Sequence, residues 1–455
     1  MECVAMSSPD PRAAGRAPSG KSAAAAKPTS PSSAQADATD ADASAAAGAA
    51  TGLMARIGRL WDREVSFTAA QAQALLSARL TDVAANRLAR EWSAAYLAAD
   101  ARVRRALLTT LTQAAQSIDD ADIGGGQRLF KRMNALPDGL RFLVALRTDM
   151  LKWRKQVPGL PAFDSTLQDL LSAWFDVGLL ELRRLTWDSP ASLLEKLIVY
   201  EAVHEIQSWE DLRHRVAGDR RCYAYFHPKM PDVPLIFVEV AFSPTMADNV
   251  QSLLDTKAPS GDLDRARWAI FYSISNTQAG LRGISFGNFL LKRVIDAMVE
   301  DLPKLKSFAT LSPIPGFNEW LAKQDAQAIE KLLRERPEER PRGRLPDGER
   351  WVARLQKAAR GSANEVVQRA AFKLAAHYLS SMKNGQPLDP VARFHLGNGA
   401  RVERLNWAAD RSDKGIAQSS AMMVNYLYAL DDLDDNLARL NDGTPVVSRA
   451  IARLR

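Results

Sequence analysis

The chain has 455 residues, 46% of them hydrophobic and 25% charged, so it is long enough to bury the cores of two or three domains. Its net charge of +7 is a small excess of 60 basic over 53 acidic residues. This balance permits anionic ligands such as phosphates but does not predict nucleic-acid binding. The longest apolar runs, such as Leu235 to Val238, are far shorter than the ~18 residues of a membrane span. Composition therefore predicts neither a nucleic acid nor a membrane as a partner.

The first 51 residues are rich in Ala, Ser, Pro and Asp, and this composition predicts a disordered tail. No apolar signal segment follows the start, and acidic residues such as Asp37 are untypical of an organelle transit peptide. The two cysteines, Cys3 and Cys222, are too few and too far apart for a disulfide framework, which suits a reducing compartment. These features predict a cytoplasmic protein.

The sequence pattern of residues 52–187 predicts a helical domain. Leu88, Trp92, Ala95 and Tyr96 recur at the spacing that places them on one face of a 3.6-residue helical repeat. Few runs in this region have strand character, and none carries a chemical motif. We expect the domain to support a site or to mediate assembly, and we predict a homo-oligomer, either a dimer or a tetramer.

Residues 188–455 predict a mixed α/β domain. A helix is predicted from Ala191 to about Gln207, and strand candidates follow at 222–228, 234–243, 267–275 and 307–312. A helix containing Leu290 and Val294 separates the last two strands, which predicts a parallel pair with a right-handed crossover. The fold class is therefore α+β with several domains, an all-α helical bundle followed by a mixed α/β domain.

A glycine-bearing loop, Gln278-Ala279-Gly280-Leu281-Arg282-Gly283, joins the third strand candidate to that helix. Glycines at such a position let backbone N–H groups approach a phosphate at the positive end of the helix dipole. The spacing alone leaves a flexible connector open as the alternative. The loop is neither a dinucleotide-binding fingerprint nor a P-loop, because the further glycine and the lysine of those motifs are missing.

The same loop contains Gly283-Ile284-Ser285-Phe286-Gly287, which formally matches the nucleophile-elbow pattern. This match raises the alternative of a serine thioesterase or hydrolase that uses Ser285 and His395. The elbow serine should directly follow its strand, but here the strand candidate ends near Ser275. The context therefore favours other readings of the loop.

Ser312 and His395 are the other candidates for chemistry. Ser312 ends a strand candidate before Pro-Ile-Pro-Gly, so its backbone should be extended and fixed. His395 is one of five histidines and precedes the turn Gly397-Asn398-Gly399. Taken singly, each residue is more typical of a structural role, Ser312 as a turn-stabilising serine and His395 as a half-buried imidazole.

Three segments together resemble the malonyl-CoA decarboxylase family. They are YSISNTQAGLRGISFGNFLLKRVI (272–295), FATLSPIPGF (308–317) and ARFHLGNGARVERLNWAADRSDKGI (392–416). The resemblance implies a catalytic domain of the GCN5-related acetyltransferase type, in which the loop after the fourth strand takes the CoA pyrophosphate. The glycine spacing of this loop, at 280 and 283, departs from the usual acetyltransferase pattern.

The resemblance further implies conversion of malonyl-CoA to acetyl-CoA and CO2 through a thioester enolate, with no metal or organic cofactor, and a role in fatty acid metabolism. The serine and histidine of the family correspond to Ser312 and His395. Our hypothesis is that Ser312 polarises the malonyl group and His395 protonates the enolate. The resemblance implies a variant in which the serine is the proton acceptor and the histidine the donor, and the sequence leaves both open. The family's substrate-binding run corresponds to Arg282, Gly283, Ile284, Ser285, Phe286, Gly287 and Asn288.

Two further positions, Ser273 and Asn276, are candidates to line the thioester site. A second alternative is a CoA-dependent acyltransferase that uses the same CoA groove, with Glu239 as its general base.

Overall fold

A computed structural model describes residues 67–77, 81–117, 124–284, 290–333, 346–361 and 365–455. All of them belong to one compact unit, Val65–Arg455. The predicted disordered tail, residues 1–51, lies outside the described residues, as do residues 52–66 of the predicted helical domain.

Six helices come first along the described chain. They are α1 (Ala69–Leu76), α2 (Asp82–Ala98), α3 (Ala101–Gln116), α4 (Gly125–Ala135), α5 (Gly139–Trp153) and α6 (Leu160–Trp174). Trp92 and Tyr96 of α2 stack at 5.1 Å between ring centroids, and Phe142 of α5 meets both rings edge-on. The predicted apolar face of α2 is thus the face that packs on α5. No helix within the described ranges is long and apolar enough to cross a membrane.

Strand β1, Glu181–Leu185, lies in the region where the sequence showed little strand character. It forms an edge of the main sheet and pairs antiparallel with β2, Arg220–His227. Of its five residues only Leu185 is fully buried, and the charged side chains are largely exposed. Exposed charges are common on edge strands. Because three of the five residues are charged, this strand lacks the apolar alternation by which strands are predicted from sequence.

Twelve further helices follow along the described chain. They are α7 (Ala191–Tyr200), α8 (Trp209–Val216), α9 (Val250–Leu254), α10 (Leu290–Asp301), α11 (Phe317–Ala322), α12 (Ala326–Leu333), α13 (Gly348–Arg360), α14 (Glu365–Ser380), α15 (Pro390–Leu396), α16 (Asp413–Ser419), α17 (Leu433–Asn441) and α18 (Arg449–Ala452). The other strands are β3 (Met230–Ser243), β4 (Trp268–Asn276), β5 (Ser307–Thr310), β6 (Ser312–Pro313), β7 (Met382–Lys383), β8 (Gln386–Pro387), β9 (Arg401–Asn406) and β10 (Met423–Tyr428).

Helix α7 ends at Tyr200, so the helix predicted to continue to about Gln207 is shorter than expected. The Glu201 carboxylate accepts hydrogen bonds from the backbone amides of Val203 and His204, both at 2.8 Å. It also accepts from the hydroxyls of Ser273 and Ser275 on β4. These contacts give the chain an alternative to helical hydrogen bonding directly after Tyr200, and they tie it to the sheet.

The main sheet has the strand order β1-β2-β3-β4-β5-β10-β6, with β9 paired to β10. Strands β4 and β5 are parallel and α10 lies between them in the chain, as the sequence predicted. Their ladder ends where Phe271 faces Thr310. Beyond that point β4 remains paired with β3, whereas β6 pairs with β10, so the two parallel strands diverge. The predicted order, a helical part followed by a mixed α/β part, is confirmed.

Candidate active site

A cavity of about 400 Å³ opens where β4 and β5 diverge. Its walls come from the second half of β4, from β6 and from α15. Among its lining residues are five of the positions that the sequence singled out, namely Ser273, Asn276, Ile284, Ser312 and His395. The divergence of the two strands therefore brings together residues that are distant in the chain.

Ser312 is buried at the start of β6 and is fixed by its neighbours. Its hydroxyl donates to Thr310 Oγ1 at 2.8 Å, because residues two apart on an extended chain share a side. Thr310 Oγ1 also accepts from the Tyr426 amide at 3.1 Å, and the Thr310 carbonyl accepts from Asn425 Nδ2 at 2.6 Å. Strand β10 thus holds the serine through Thr310.

His395 lies in the last turn of α15 and is also buried. The helix begins with Pro390 at its first position, and Asp389 Oδ1 caps it by accepting from the amides of Val391 and Ala392 at 2.9 and 2.8 Å. Gly399 follows with a φ of +84°, and a Cβ there would lie 2.9 Å from Leu433 O. The cap and the glycine turn together fix both ends of this short helix.

The two ring nitrogens of His395 have different partners. Nε2 lies 3.1 Å from Ser312 Oγ, and Nδ1 lies 2.8 Å from the hydroxyl of Tyr428. Because Ser312 donates its single proton to Thr310, the hydrogen-bond pattern assigns a proton to Nε2, and the Tyr428 hydroxyl then donates to Nδ1. The ring also stacks on Tyr426, with 4.6 Å between centroids. The imidazole is therefore held in one orientation, with its N–H directed at the serine.

Burial lowers the pKa of His395 to about 3 and raises the pKa of Tyr428 well above its usual range. The imidazole is therefore neutral and the phenol protonated at neutral pH. This state agrees with the hydrogen-bond assignment, in which Tyr428 donates and Nε2 carries the proton.

The predicted substrate-binding run is described as far as Ile284. Ile284 is buried and lines the cavity, whereas the Arg282 side chain is exposed and does not line it. Gly283 has a φ of +80°, which explains a glycine at this position. The other predicted members of the run, Ser285, Phe286, Gly287 and Asn288, lie outside the described residues.

Glu239, the candidate base of the acyltransferase alternative, is fully buried and does not line the cavity. Its Oε2 is 3.1 Å from Arg215 Nη1, and Arg215 also pairs with Asp211 at 2.8 Å. Burial, together with the nearby charge of Glu201, raises the pKa of Glu239 to about 8. Glu239 is buried within β3, bonded to Arg215 and absent from the cavity lining, so it does not reach an acyl acceptor in the cavity.

Three residues of the site were missed by the sequence analysis. Thr310 and Tyr428 hold Ser312 and His395, and Arg393 on α15 lines the cavity with an exposed side chain. A signal for Tyr428 existed, because Tyr426 and Tyr428 alternate along an apolar run, as side chains on one face of a strand do. Within the described ranges no group of three His, Cys, Asp or Glu residues is arranged to hold a metal ion.

The fold and the site together define a class, a protein with a helical part and a mixed α/β part that holds a buried serine–histidine pair beside a cavity. Two family models match this chain. The malonyl-CoA decarboxylase C-terminal domain matches residues 178–455, and the malonyl-CoA decarboxylase N-terminal domain matches residues 87–175. The chain therefore belongs to the malonyl-CoA decarboxylase family.

Individual relatives agree with this assignment. The chain is 38% identical over 336 residues to the mitochondrial malonyl-CoA decarboxylase of Anser anser anser, covering 68% of this chain and 65% of that protein. The matched part thus spans just under two thirds of that relative's length. The crystal structure of malonyl-CoA decarboxylase from Cupriavidus metallidurans is 54% identical, with a TM-score of 0.75 over 85% of this chain and 98% of the other. That from Rhodopseudomonas palustris is 37% identical, with a TM-score of 0.69 over 84% and 97%.

Proposed function

We propose that this chain is a malonyl-CoA decarboxylase, which converts malonyl-CoA to acetyl-CoA and CO2. The observation that carries the proposal is the buried Ser312–His395 pair, joined at 3.1 Å beside a cavity large enough for an acyl group. The names of the relatives point to the same reaction.

The reaction needs two things from the protein. As the carbon–carbon bond to the carboxylate breaks, its electron pair moves into the thioester carbonyl and forms an enolate, and CO2 leaves. The enolate oxygen then needs a hydrogen-bond donor, and the carbanion carbon needs one proton. The thioester itself accepts the electrons, so a hydroxyl and an imidazole are sufficient groups for both tasks.

The walls of the cavity favour loss of CO2. Besides its few polar groups, the cavity is lined by apolar side chains that include Val203, Ile236, Phe271, Ile284 and Phe394. An apolar surface solvates a carboxylate poorly and accepts neutral CO2 readily. We therefore infer that the malonyl carboxylate faces these side chains while the thioester oxygen faces Ser312.

The proton is delivered by His395 in this proposal. The neutral imidazole takes up a proton from solvent at Nδ1 when the anionic malonyl group enters the cavity, since a nearby negative charge favours the imidazolium, and the Tyr428 hydroxyl then accepts from Nδ1. Nε2, which already faces Ser312, then transfers its proton to the enolate carbon after CO2 has left. With substrate bound, the Ser312 hydroxyl turns from Thr310 to donate its proton in a hydrogen bond to the thioester carbonyl, which polarises the carbonyl and keeps the reacting carbon beside the ring.

Substrate contacts outside the cavity are assigned by the family resemblance. We propose that Arg282, Gly283, Ile284, Ser285, Phe286, Gly287 and Asn288 bind the CoA portion. The side chain of Arg282 is exposed and can pair with its phosphates. Arg393 lines the cavity and donates from Nε and Nη2 to the Pro387 carbonyl, so we propose that its Nη1 pairs with a phosphate. No resident metal or organic cofactor enters the proposed reaction.

Tyr428→Phe should lower kcat about tenfold with little change in KM, because Nδ1 of His395 loses its hydrogen-bond donor and a buried ring nitrogen is left unpaired. Tyr426→Phe is the matched control. Its ring keeps the stack on His395, and its buried hydroxyl has no hydrogen-bond partner among the described residues. Steady-state kinetics of both variants test this prediction, and equal activity of the two would contradict a role for the Tyr428 hydroxyl.

Product analysis separates decarboxylation from the alternatives. Purified protein with malonyl-CoA alone should release acetyl-CoA and CO2 in equal amounts. Free CoA and malonate would instead indicate thioester hydrolysis and favour the Ser285 alternative. Turnover that requires an added amine and releases CoA would indicate an acyltransferase.

We further propose a cytoplasmic homo-oligomer, a dimer or tetramer, that acts in fatty acid metabolism. The buried free thiol of Cys222 suits a reducing compartment. We also propose a helical domain, residues 52–187, that contributes β1 to the sheet of a catalytic domain, residues 188–455. Light scattering of the purified chain tests the oligomer, and cell fractionation tests the location.

A further inference from the structure

Helix α5 carries an arginine that is buried in spite of its charge. Arg147 is 1% exposed, and its Nε donates to Asp164 Oδ1 of α6 at 2.9 Å. Its Nη2 donates to Gln168 Oε1, also of α6 and also at 2.9 Å. A guanidinium is tolerated in a protein interior when its N–H donors have hydrogen-bond partners. The remaining nitrogen, Nη1, therefore also needs a partner.

The remaining nitrogen of Arg147 holds the glycine loop after β4. Its Nη1 donates to the carbonyls of Gly280 and Arg282, at 2.7 and 2.8 Å. Those carbonyls lie more than 130 positions away in the chain, beside the cavity-lining Ile284. One side chain of the helical part thus fixes two peptide groups of the predicted CoA-binding loop.

The loop is shaped to accept this contact. A Cβ at Gly280 would lie 1.9 Å from Val144 O on α5, so the loop packs directly on the helix backbone. In a trans peptide the carbonyl and the next N–H point in opposite directions. The bond from Arg147 to the Arg282 carbonyl therefore turns the Gly283 N–H away from the helices, toward the exposed side of the loop.

We propose that Arg147 is a positioning residue for binding of the CoA portion of the substrate. It holds the peptide groups of residues 280 and 282 so that the outward Gly283 N–H faces the anionic ligand. This inference rests on the proposed function only in taking CoA as the ligand. It also assigns the helical part of the chain a direct task at the site.

The test compares Arg147→Lys with Arg154→Met. Lysine keeps a cation beside Asp164, but its single nitrogen cannot span the carboxylate and both carbonyls. Arg154 is the matched control, because its exposed guanidinium also lies near Asp164, at 3.9 Å, and makes no contact with the loop. We expect Arg147→Lys to raise both KM for malonyl-CoA and Kd for CoA at least tenfold, with kcat within threefold of the parent. For Arg154→Met we expect KM, Kd and kcat to stay within twofold of the parent values.

A merely structural role gives a different pattern. Loss of folded protein lowers the apparent kcat and leaves KM and the Kd for CoA unchanged, and that result would overturn the proposal. If Arg147→Lys does not fold, Gly280→Ala provides the second test, since its Cβ must push the loop off Val144 O. It should also raise KM and Kd, and unchanged values would overturn the proposal.

Calorimetric titration with CoA separates this inference from the proposed reaction. A parent protein that binds CoA but releases no CO2 would remove the decarboxylase assignment, and the comparison of Kd values would still decide the role of Arg147. A parent that binds neither malonyl-CoA nor CoA would overturn both.

Discussion

Replacing His395 with Gln should lower kcat for malonyl-CoA decarboxylation by about 10³-fold, within the range that general acid catalysis contributes. Glutamine retains a polar group of similar reach beside Ser312, but it cannot take up and release a proton near neutral pH. KM should change little, because the proposed CoA contacts lie on the glycine loop. Initial rates of acetyl-CoA formation over a range of malonyl-CoA concentrations measure both constants.

The control for this variant is another histidine. His214 lies on α8 and does not line the cavity, so His214→Asn should retain parental kcat. Thermal unfolding of both variants checks that the fold is intact. A His395→Gln protein that is folded and keeps more than a tenth of parental kcat would contradict the assignment of His395 as the proton donor.

Ser312→Ala should lower kcat about 10²-fold, because one hydrogen-bond donor to a developing oxyanion contributes on that scale. The change also removes the acceptor of the His395 Nε2 proton and the donor to Thr310. A loss in kcat together with a smaller rise in KM would fit a group that acts mainly in the transition state.

A buried serine elsewhere provides the comparison. Ser380 of α14 is buried, and its hydroxyl has no hydrogen-bond partner among the described residues. Ser380→Ala should therefore keep parental kcat and unfolding temperature. If Ser312→Ala behaved like Ser380→Ala in the same assay, the serine would have no part in the reaction.

The parts of the fold that local patterns encode could be predicted from the sequence. The parallel β4–β5 pair follows from two apolar runs joined by a helix, a pattern whose geometry leaves little choice. The central position of β10 could not be predicted in this way. It pairs with both β5 and β6 along one side and with β9 along the other, and the hydrogen bond from the Tyr426 amide to Thr310 spans 116 positions. Such pairing depends on tertiary packing that no local pattern records.

The site likewise contains residues that could be predicted from the sequence and residues that could not. The resemblance pointed to Ser312 and His395, and the structure brings them within hydrogen-bond distance. Thr310, Tyr428 and Arg147 were not predicted, because each acts on a residue that is remote in the chain. Arg147 in particular lies in the helical part, where the sequence showed no chemical motif. Residues that position other side chains are identified only from the contacts in the folded structure.

The central claim is that malonyl-CoA loses CO2 to give an enolate that is protonated in the cavity. Mass spectrometry of a short reaction with malonyl-CoA in heavy water tests it most directly. We expect acetyl-CoA that carries one deuterium from solvent in its methyl group, equimolar CO2, and remaining malonyl-CoA without deuterium. Formation of free CoA and malonate, or no change in malonyl-CoA while folded protein binds it, would contradict the account.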